Sequence, residues 1–198
     1  MLNSLASKAR KVPRAAVRRT ASALARFPVV SDAACPTFPA ISEARLAEDG
    51  YFSQIGQDLV VDKIFFGNVT TGTFVDIGAH DGISLSNTYF LESVREWSGL
   101  CVEANPEVIP RLRENRRCIV EQVAVGPGYG TVSFTAIDGP DMLSGISEHL
   151  NRRHRRRIKD EIKGFGGSQK VIRVPVRPLQ ALLDEHNIVS VDFLSIDT

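Results

Sequence analysis

The sequence predicts an α/β fold with parallel strands, and three observations predict it. Helix-like and strand-like segments alternate from about residue 43 onward, as they do where strands are joined by crossover helices. The strand-like runs at 73–77, 100–103 and 191–196 are short and apolar, as buried strands are. The first of them runs into a glycine turn, Gly78 to Gly82, the place where open α/β sheets bind their ligands.

The elements follow in order. Val60, Val61, Ile64 and Phe65 fall on one helical face, so 56–66 is predicted as a helix ended by Gly67-Asn68. Thr73-Phe74-Val75-Asp76-Ile77 is the first strand. A helix is expected from Ser84 or Ser86, either of which can cap it, carrying Tyr89, Phe90, Leu91 and Val94. Leu100-Cys101-Val102-Glu103 is a second strand. Asn105-Pro106-Glu107 combines an N-cap, a proline at the first helical position and an early acid, predicting a helix to about Arg116. Strands are expected at 119–125 and 131–137, joined by the hairpin-like turn Gly126-Pro127-Gly128-Tyr129-Gly130. A polar helix over 147–163, a strand at 170–176, a short helix at 179–186 and a last strand at 191–196 complete the pattern.

The chain has 198 residues, enough for about one domain and an appendage. Its 43% hydrophobic and 24% charged composition excludes a wholly disordered chain or an acidic solvating tail. The formal charge of +1 conceals a division. Seven Lys and Arg precede the first acid, Asp32, leaving residues 32–198 with 17 basic residues against 23 acidic ones. Residues 1–42 are predicted as a basic tail and Pro-containing linker, and 43–198 as the folded domain. Residues 1–27 fit a transit peptide, a helix lying weakly on an anionic membrane, or a solvated basic tail. No run is long and apolar enough to span a bilayer, and no secretory h-region is present. Cys35, Cys101 and Cys118 are widely spaced, with no metal-ligand cluster, so no metal is assigned. The expected setting is cytoplasmic, or an organelle if 1–27 is a targeting segment, with Cys101 and Cys118 as small core residues.

The chemistry centres on Phe74-Val75-Asp76-Ile77-Gly78-Ala79-His80-Asp81-Gly82. A dinucleotide site wants G-x-G-x-x-G and a pyrophosphate at a helix N-terminus. Here the spacing is Gly78-x-x-x-Gly82, and the flanking Asp76 and Asp81 would repel a pyrophosphate. S-adenosylmethionine presents a sulfonium, an ammonium and hydroxyls, all suited to nearby acceptors and negative charge. Glu103, at the end of the second strand, can accept both hydroxyls of a ribose and so supports a ribose-bearing cofactor without distinguishing which one.

These residues resemble the FkbM-type methyltransferases. The resemblance rests on Ser53-Gln54-Ile55-Gly56-Gln57-Asp58, Phe74 to Gly82, Ser86-Asn87-Thr88 with Leu91-Glu92, and Trp97 through Pro106. It continues through Val123-Ala124-Val125-Gly126 and Asp192-Phe193-Leu194-Ser195-Ile196-Asp197-Thr198, covering about 50–198 in order. It implies a Rossmann-like class I fold that binds S-adenosylmethionine. Asp76, Gly78, Ala79, His80, Asp81 and Gly82 would hold the methionine part, Glu103 the ribose, and Ala104, Asn105 and Val125 would border the adenine. It also implies O-methylation of a hydroxyl on a small-molecule or glycan acceptor, a sugar or secondary metabolite. Asp197 then stands where it can act as base, orient the acceptor hydroxyl, help bind a divalent ion, or simply cap a turn. His80 is a rival base, a cofactor contact or a satisfied structural histidine. The family pattern continues past Asp197-Thr198, so the resemblance implies that 43–198 is the N-terminal two thirds of the domain, an incomplete fold with an exposed apolar edge at 191–196.

Arg152, Arg153, Arg155, Arg156 and Arg157, with Lys159 and Lys163, form a second basic cluster. It fits a solvated helix partly neutralised by Asp160 and Glu161, or attraction of a phosphorylated or carboxylated acceptor or a nucleic acid. Nucleic acid is disfavoured by the lack of interleaved aromatic residues. The alternative function is a non-catalytic fragment or degenerate fold that binds nucleic acid or an anionic surface through the tail and this cluster.

Overall fold

The computed structural model describes residues 50–198 apart from residue 68. The tail and linker expected over 1–42, including Cys35, lie outside the described residues.

The strands form two sheets. The first is wholly parallel, in the order β3 (Ile119–Glu121), β2 (Ser98–Val102), β1 (Thr73–Ile77), β8 (Phe193–Ile196). Because side chains alternate across a strand, β1 and β2 divide their residues between two cores. Phe74 and Cys101 meet Leu91, Trp97, Ile109 and Leu112 on one face. Val75, Ile77, Leu100 and Val102 meet Val123 and Leu182 on the other. β8 is an edge strand, and Leu194 and Ile196, on the same face as Val75 and Ile77, are exposed there. The second sheet runs β4 (Ala124–Val125), β7 (Ser168–Arg177), β5 (Gly130–Asp138), β6 (Gly145–Ile146). The protein is thus mixed α/β with a parallel sheet.

Five helices accompany the strands among the described residues: α1 (Gln57–Val60), α2 (Tyr89–Ser93), α3 (Ile109–Asn115), α4 (Arg152–Phe165) and α5 (Leu179–Glu185). The helix expected over 56–66 begins as α1 and continues as a wide π turn, Val61–Phe65. In its first turn, fully buried Asp58 accepts from the backbone N–H of Phe52 and Ser53 and from the Ser53 hydroxyl. That gives the Ser53 to Asp58 motif a structural task.

Five expectations are corrected. α2 starts at Tyr89, not at Ser84 or Ser86, because Asp81 captures the N–H groups of Ile83 and Ser84 in a turn of its own. Ser86 does meet the helix, accepting from the N–H of Tyr89. α3 starts at Ile109, not Pro106; Pro110 lacks the N–H that a helix begun at 106 would need for the Pro106 carbonyl. The strand expected over 119–125 is two strands in different sheets, β3 and β4. The expected hairpin does not form, since β7 lies between β4 and β5, parallel to the first and antiparallel to the second. Finally, the polar helix runs Arg152–Phe165, capped by the Asn151 side chain on the N–H of His154, rather than 147–163.

A buried ion pair joins the two halves of the first core. The Arg116 side chain is wholly sequestered, and its Nε donates to Glu92. Its other nitrogens reach the Gly82 carbonyl at 3.0 Å and the Thr88 hydroxyl at 3.0 Å, and its plane lies over Phe74. Glu92 in turn accepts from the N–H of Arg117 and Cys118. Removing one partner of such a pair strands a buried charge, which costs about 3–5 kcal/mol. Glu92→Ala is therefore expected to lower the urea unfolding free energy by about that amount, whereas Arg113→Ala, at an exposed helical position, should change it by less than about 0.5 kcal/mol.

Candidate functional site

The site is built where β1 and β2 end. Gly78 follows β1 with φ +86°, and its N–H donates to the Val102 carbonyl at 2.9 Å. A Cβ there would lie 2.0 Å from the Asp197 carbonyl oxygen, so glycine is required twice, for its left-handed backbone and for close approach. The contact also shows that the chain after β8 passes directly beside the turn; the Asp197 N–H donates to Ile77 at 2.9 Å. At the other end of the turn Gly82 has φ +82°, and a Cβ would strike Arg116 and Leu112. The turn is therefore wedged between β8 and the buried arginine.

Glu103 closes the other side. It stands one residue past β2, nearly buried, and its two oxygens accept from the N–H of His80 at 2.9 Å and of Asn105 at 2.7 Å. A carboxylate has about four lone-pair positions, so two remain for a further donor. The structure thus brings Gly78, Ala79, His80, Asp81, Gly82, Glu103 and Asn105 together, with Asp197 beside them.

Asp76 is placed differently. Its carboxyl points beneath the turn, 3% exposed, and accepts from the Thr88 hydroxyl at 2.6 Å. Burial pushes it above the usual carboxylate range, against the Thr88 hydrogen bond and the Arg116 charge. It offers almost no surface to a ligand. Ala104 packs against the core of the second sheet, and Val125, on β4, pairs with Arg177. Asp197 is exposed.

Two site residues come from a segment the sequence reading passed over. The loop between β5 and β6 contains a single 3-10 turn, Asp141–Leu143. Asp141 accepts from His80 Nε2 at 3.0 Å and pairs with Arg111, while Ser144 accepts from Asn105 Nδ2 at 3.2 Å. Both bonds bind this loop to the glycine turn and its neighbour. Burial alone would lower the His80 pKa, but the hydrogen bond to Asp141 and the Asp81 carboxylate 3.6 Å from Nδ1 outweigh it and raise it to about 9. The same two contacts, with the N–H groups of Ser84 and Ile83 on Asp81, hold Asp81 and Asp141 below their usual range against the effect of burial. His80 is an imidazolium held between two carboxylates at neutral pH, and so a poor general base there.

Glu121, Glu185 and His186 also gather, with ligating atoms within 4.8 Å. Arg177 already neutralises this group, pairing with Glu185 and lying 4.0 Å from Glu121, and His186 bonds Glu121 at 2.7 Å. It is an ion-pair knot tying β3, β7 and the end of α5. On α4, Arg156–Asp160 and Arg157–Glu161 face each other at 3.8 and 3.7 Å across exposed turns, the neutralisation expected of a solvated helix. Among the described residues no helix is long and apolar enough to cross a membrane.

A parallel sheet whose first strand delivers a glycine turn against a strand-end glutamate has the construction of a methyltransferase-like α/β protein. The FkbM methyltransferase domain matches residues 76–198, and the chain belongs to that family. No curated protein and no solved structure matches it.

The raised His80 pKa has a defined consequence for stability. A cation formed more readily in the folded state stabilises fully below its unfolded pKa, about 6.5, and the contribution disappears as pH rises through about 9. The difference in urea midpoint between the natural protein and Asp141→Asn should therefore be constant between about pH 5 and 6.5 and shrink toward pH 10. The His80 ring shifts in NMR should titrate near 9.

Proposed function

We propose that the chain binds S-adenosylmethionine across the carboxyl ends of β1 and β2 and serves methyl transfer to a hydroxyl of a sugar or secondary metabolite. The order β3-β2-β1-β8 supports reading the parallel sheet as part of a Rossmann-like class I methyltransferase core. The observation that carries the proposal is Glu103, whose carboxylate is held by two backbone N–H groups at the mouth of the glycine turn. This arrangement leaves about two acceptor positions of the carboxylate for a further donor. Ribose hydroxyls are donors that such a carboxylate can take in pairs.

The donor set suits that cofactor. Glu103, Asp81, Asp141 and Asp197 surround the turn, and the cations beside it are already paired, His80 and Arg111 with Asp141 and Arg116 with Glu92. A sulfonium and an ammonium are favoured in such a rim, and a pyrophosphate is not. Bound there, S-adenosylmethionine supplies a methyl carbon activated by positive sulfur. The protein then has to align the acceptor hydroxyl and receive one proton. Asp197, exposed and within touch of Gly78 through its backbone, is the group placed to take or orient it. Asp76 supports the turn from below through Thr88 and does not itself contact the ligand. Asn105 fixes the turn beside the adenine, while Ala104 and Val125 contribute apolar surface. The acceptor is a small molecule or glycan, and the setting we assign is cytoplasmic.

Calorimetric titration with S-adenosylhomocysteine tests the reading. Glu103→Gln is expected to weaken binding about 10- to 100-fold, the worth of hydrogen bonds to a charged acceptor. Unchanged affinity in a folded variant overturns the ribose assignment. Gly78→Ala should abolish binding and lower the melting temperature, because its Cβ meets backbone rather than a movable side chain.

A further inference from the structure

Two thiols meet at the start of β3. Cys101 is the fourth of the five residues of β2, fully buried, and Cys118 lies one residue before β3, partly exposed. Their sulfurs share a hydrogen bond at 3.4 Å. The pair is unsymmetrical. The shared hydrogen bond lowers the Cys118 pKa, burial opposes it, and the Arg116 cation adds to the lowering. The same hydrogen bond and burial raise that of Cys101. Hence the thiol that reaches solvent is the one a reagent can meet, and the sealed thiol lies against it, with the Arg116 cation acting on both. An accessible cysteine beside a cation with a second thiol in contact is the arrangement of an oxidisable pair.

We propose that Cys118 and Cys101 form a peroxide-reactive modification site, in which Cys118 attacks and Cys101 resolves. The Cys118 thiolate attacks one oxygen of hydrogen peroxide. An S–O bond forms, the O–O bond breaks, and the departing hydroxide takes a proton and leaves as water. Cys118 is then a sulfenic acid. The Cys101 sulfur displaces its hydroxyl: the S–S bond forms, the S–O bond breaks, and the Cys101 proton leaves with the hydroxyl as a second water. The two sulfurs together lose two electrons, and one peroxide becomes two waters.

The register gives the bond a structural consequence. Leu100 pairs with Ile119 and Cys101 with Val120, which sets Cys118 diagonally across from Cys101. Closing the sulfurs from 3.4 Å to a bonded separation of about 2.05 Å draws residues 116–118 toward β2. The N–H groups of Arg117 and Cys118 are tied to Glu92, and Arg116 holds the Gly82 carbonyl. The displacement is therefore carried to the glycine turn.

The test needs no cofactor and stands apart from the proposed function. The full chain carrying Cys35→Ser, so that only this pair remains, is treated with equimolar hydrogen peroxide and followed by intact mass, peptide mapping and amide hydrogen exchange. Expected are the loss of two hydrogens, a linked peptide joining Cys101 to Cys118, reversal by dithiothreitol, and faster exchange in residues 78–82. Adding Cys101→Ser should stop the reaction at a sulfenic acid on Cys118 that dimedone traps, and Cys118→Ser should leave Cys101 unreacted. Stepwise oxygen addition without a link in the protein retaining both thiols overturns the proposal. So does dimedone capture at Cys101, or a native protein that stays reduced where its urea-unfolded form links. A link formed with exchange at 78–82 unchanged overturns the transmission to the turn.

Discussion

Arg116 is the cation on which the first half of the structure hangs. Its guanidinium ends α3, yet it is buried against Glu92 from α2, the carbonyl of Gly82 and the hydroxyl of Thr88. An ion pair taken out of water gains little over a hydrophobic pair of the same shape, because desolvation offsets the attraction. What it does supply is direction. The planar fork presents fixed donors, and each is met by a different segment: the end of the glycine turn, the residues before α2, and α2 itself. Thr88 passes the order on to Asp76, so the carboxyl under the turn and the arginine beside it belong to one network. The left-handed Gly82 fits this network because any side chain there would displace the arginine.

Glu103 performs the complementary task from the second strand. By binding the N–H groups of His80 and Asn105 it fixes the turn after β1 to the turn after β2, so two loops that would otherwise move separately share one carboxylate. The β5–β6 loop is then drawn onto both, through Asp141 to His80 and Ser144 to Asn105. Organisation of this kind reduces the ordering a ligand would have to impose. It also accounts for a histidine whose ring serves as a strut between carboxylates rather than a free base.

Much of this was legible in the sequence, for local reasons. The boundaries of β1 follow from a continuous apolar run closed by a glycine, and Glu103 from its register with that turn. What the sequence concealed depends on partners far along the chain. Nothing near Arg116 announces that it is buried, since its acid lies 24 residues away; a charged residue at a helix end ordinarily faces water. Asp141 sits in a Gly-Pro turn and gains its meaning only from His80, 61 residues distant. The split of 119–125 between two sheets is likewise non-local, because the partner of β4 is the strand at 168–177. The late start of α2 was local but competitive: Asp81 and Ser86 both offered to satisfy backbone N–H groups, and Asp81 took those of Ile83 and Ser84.

The arginine-rich helix shows the same division between what charge suggests and what packing decides. Five arginines crowd its first six positions with no acid in the first turn, where the helix dipole disfavours cations by about 0.3–1 kcal/mol each. The helix forms there nonetheless, because Asn151 caps it and Ile158 anchors it on Ile137 and Leu143. One of the arginines is structural: Arg155 turns back to the carbonyls of Ser147 and Leu150. His154 does the same to Leu143. These bonds hold the 143–150 segment, which includes Ser144, against the helix, and the turn leading into it carries Asp141 to His80. The helix therefore bears on the candidate site through the backbone it secures, at a distance from its own exposed charges.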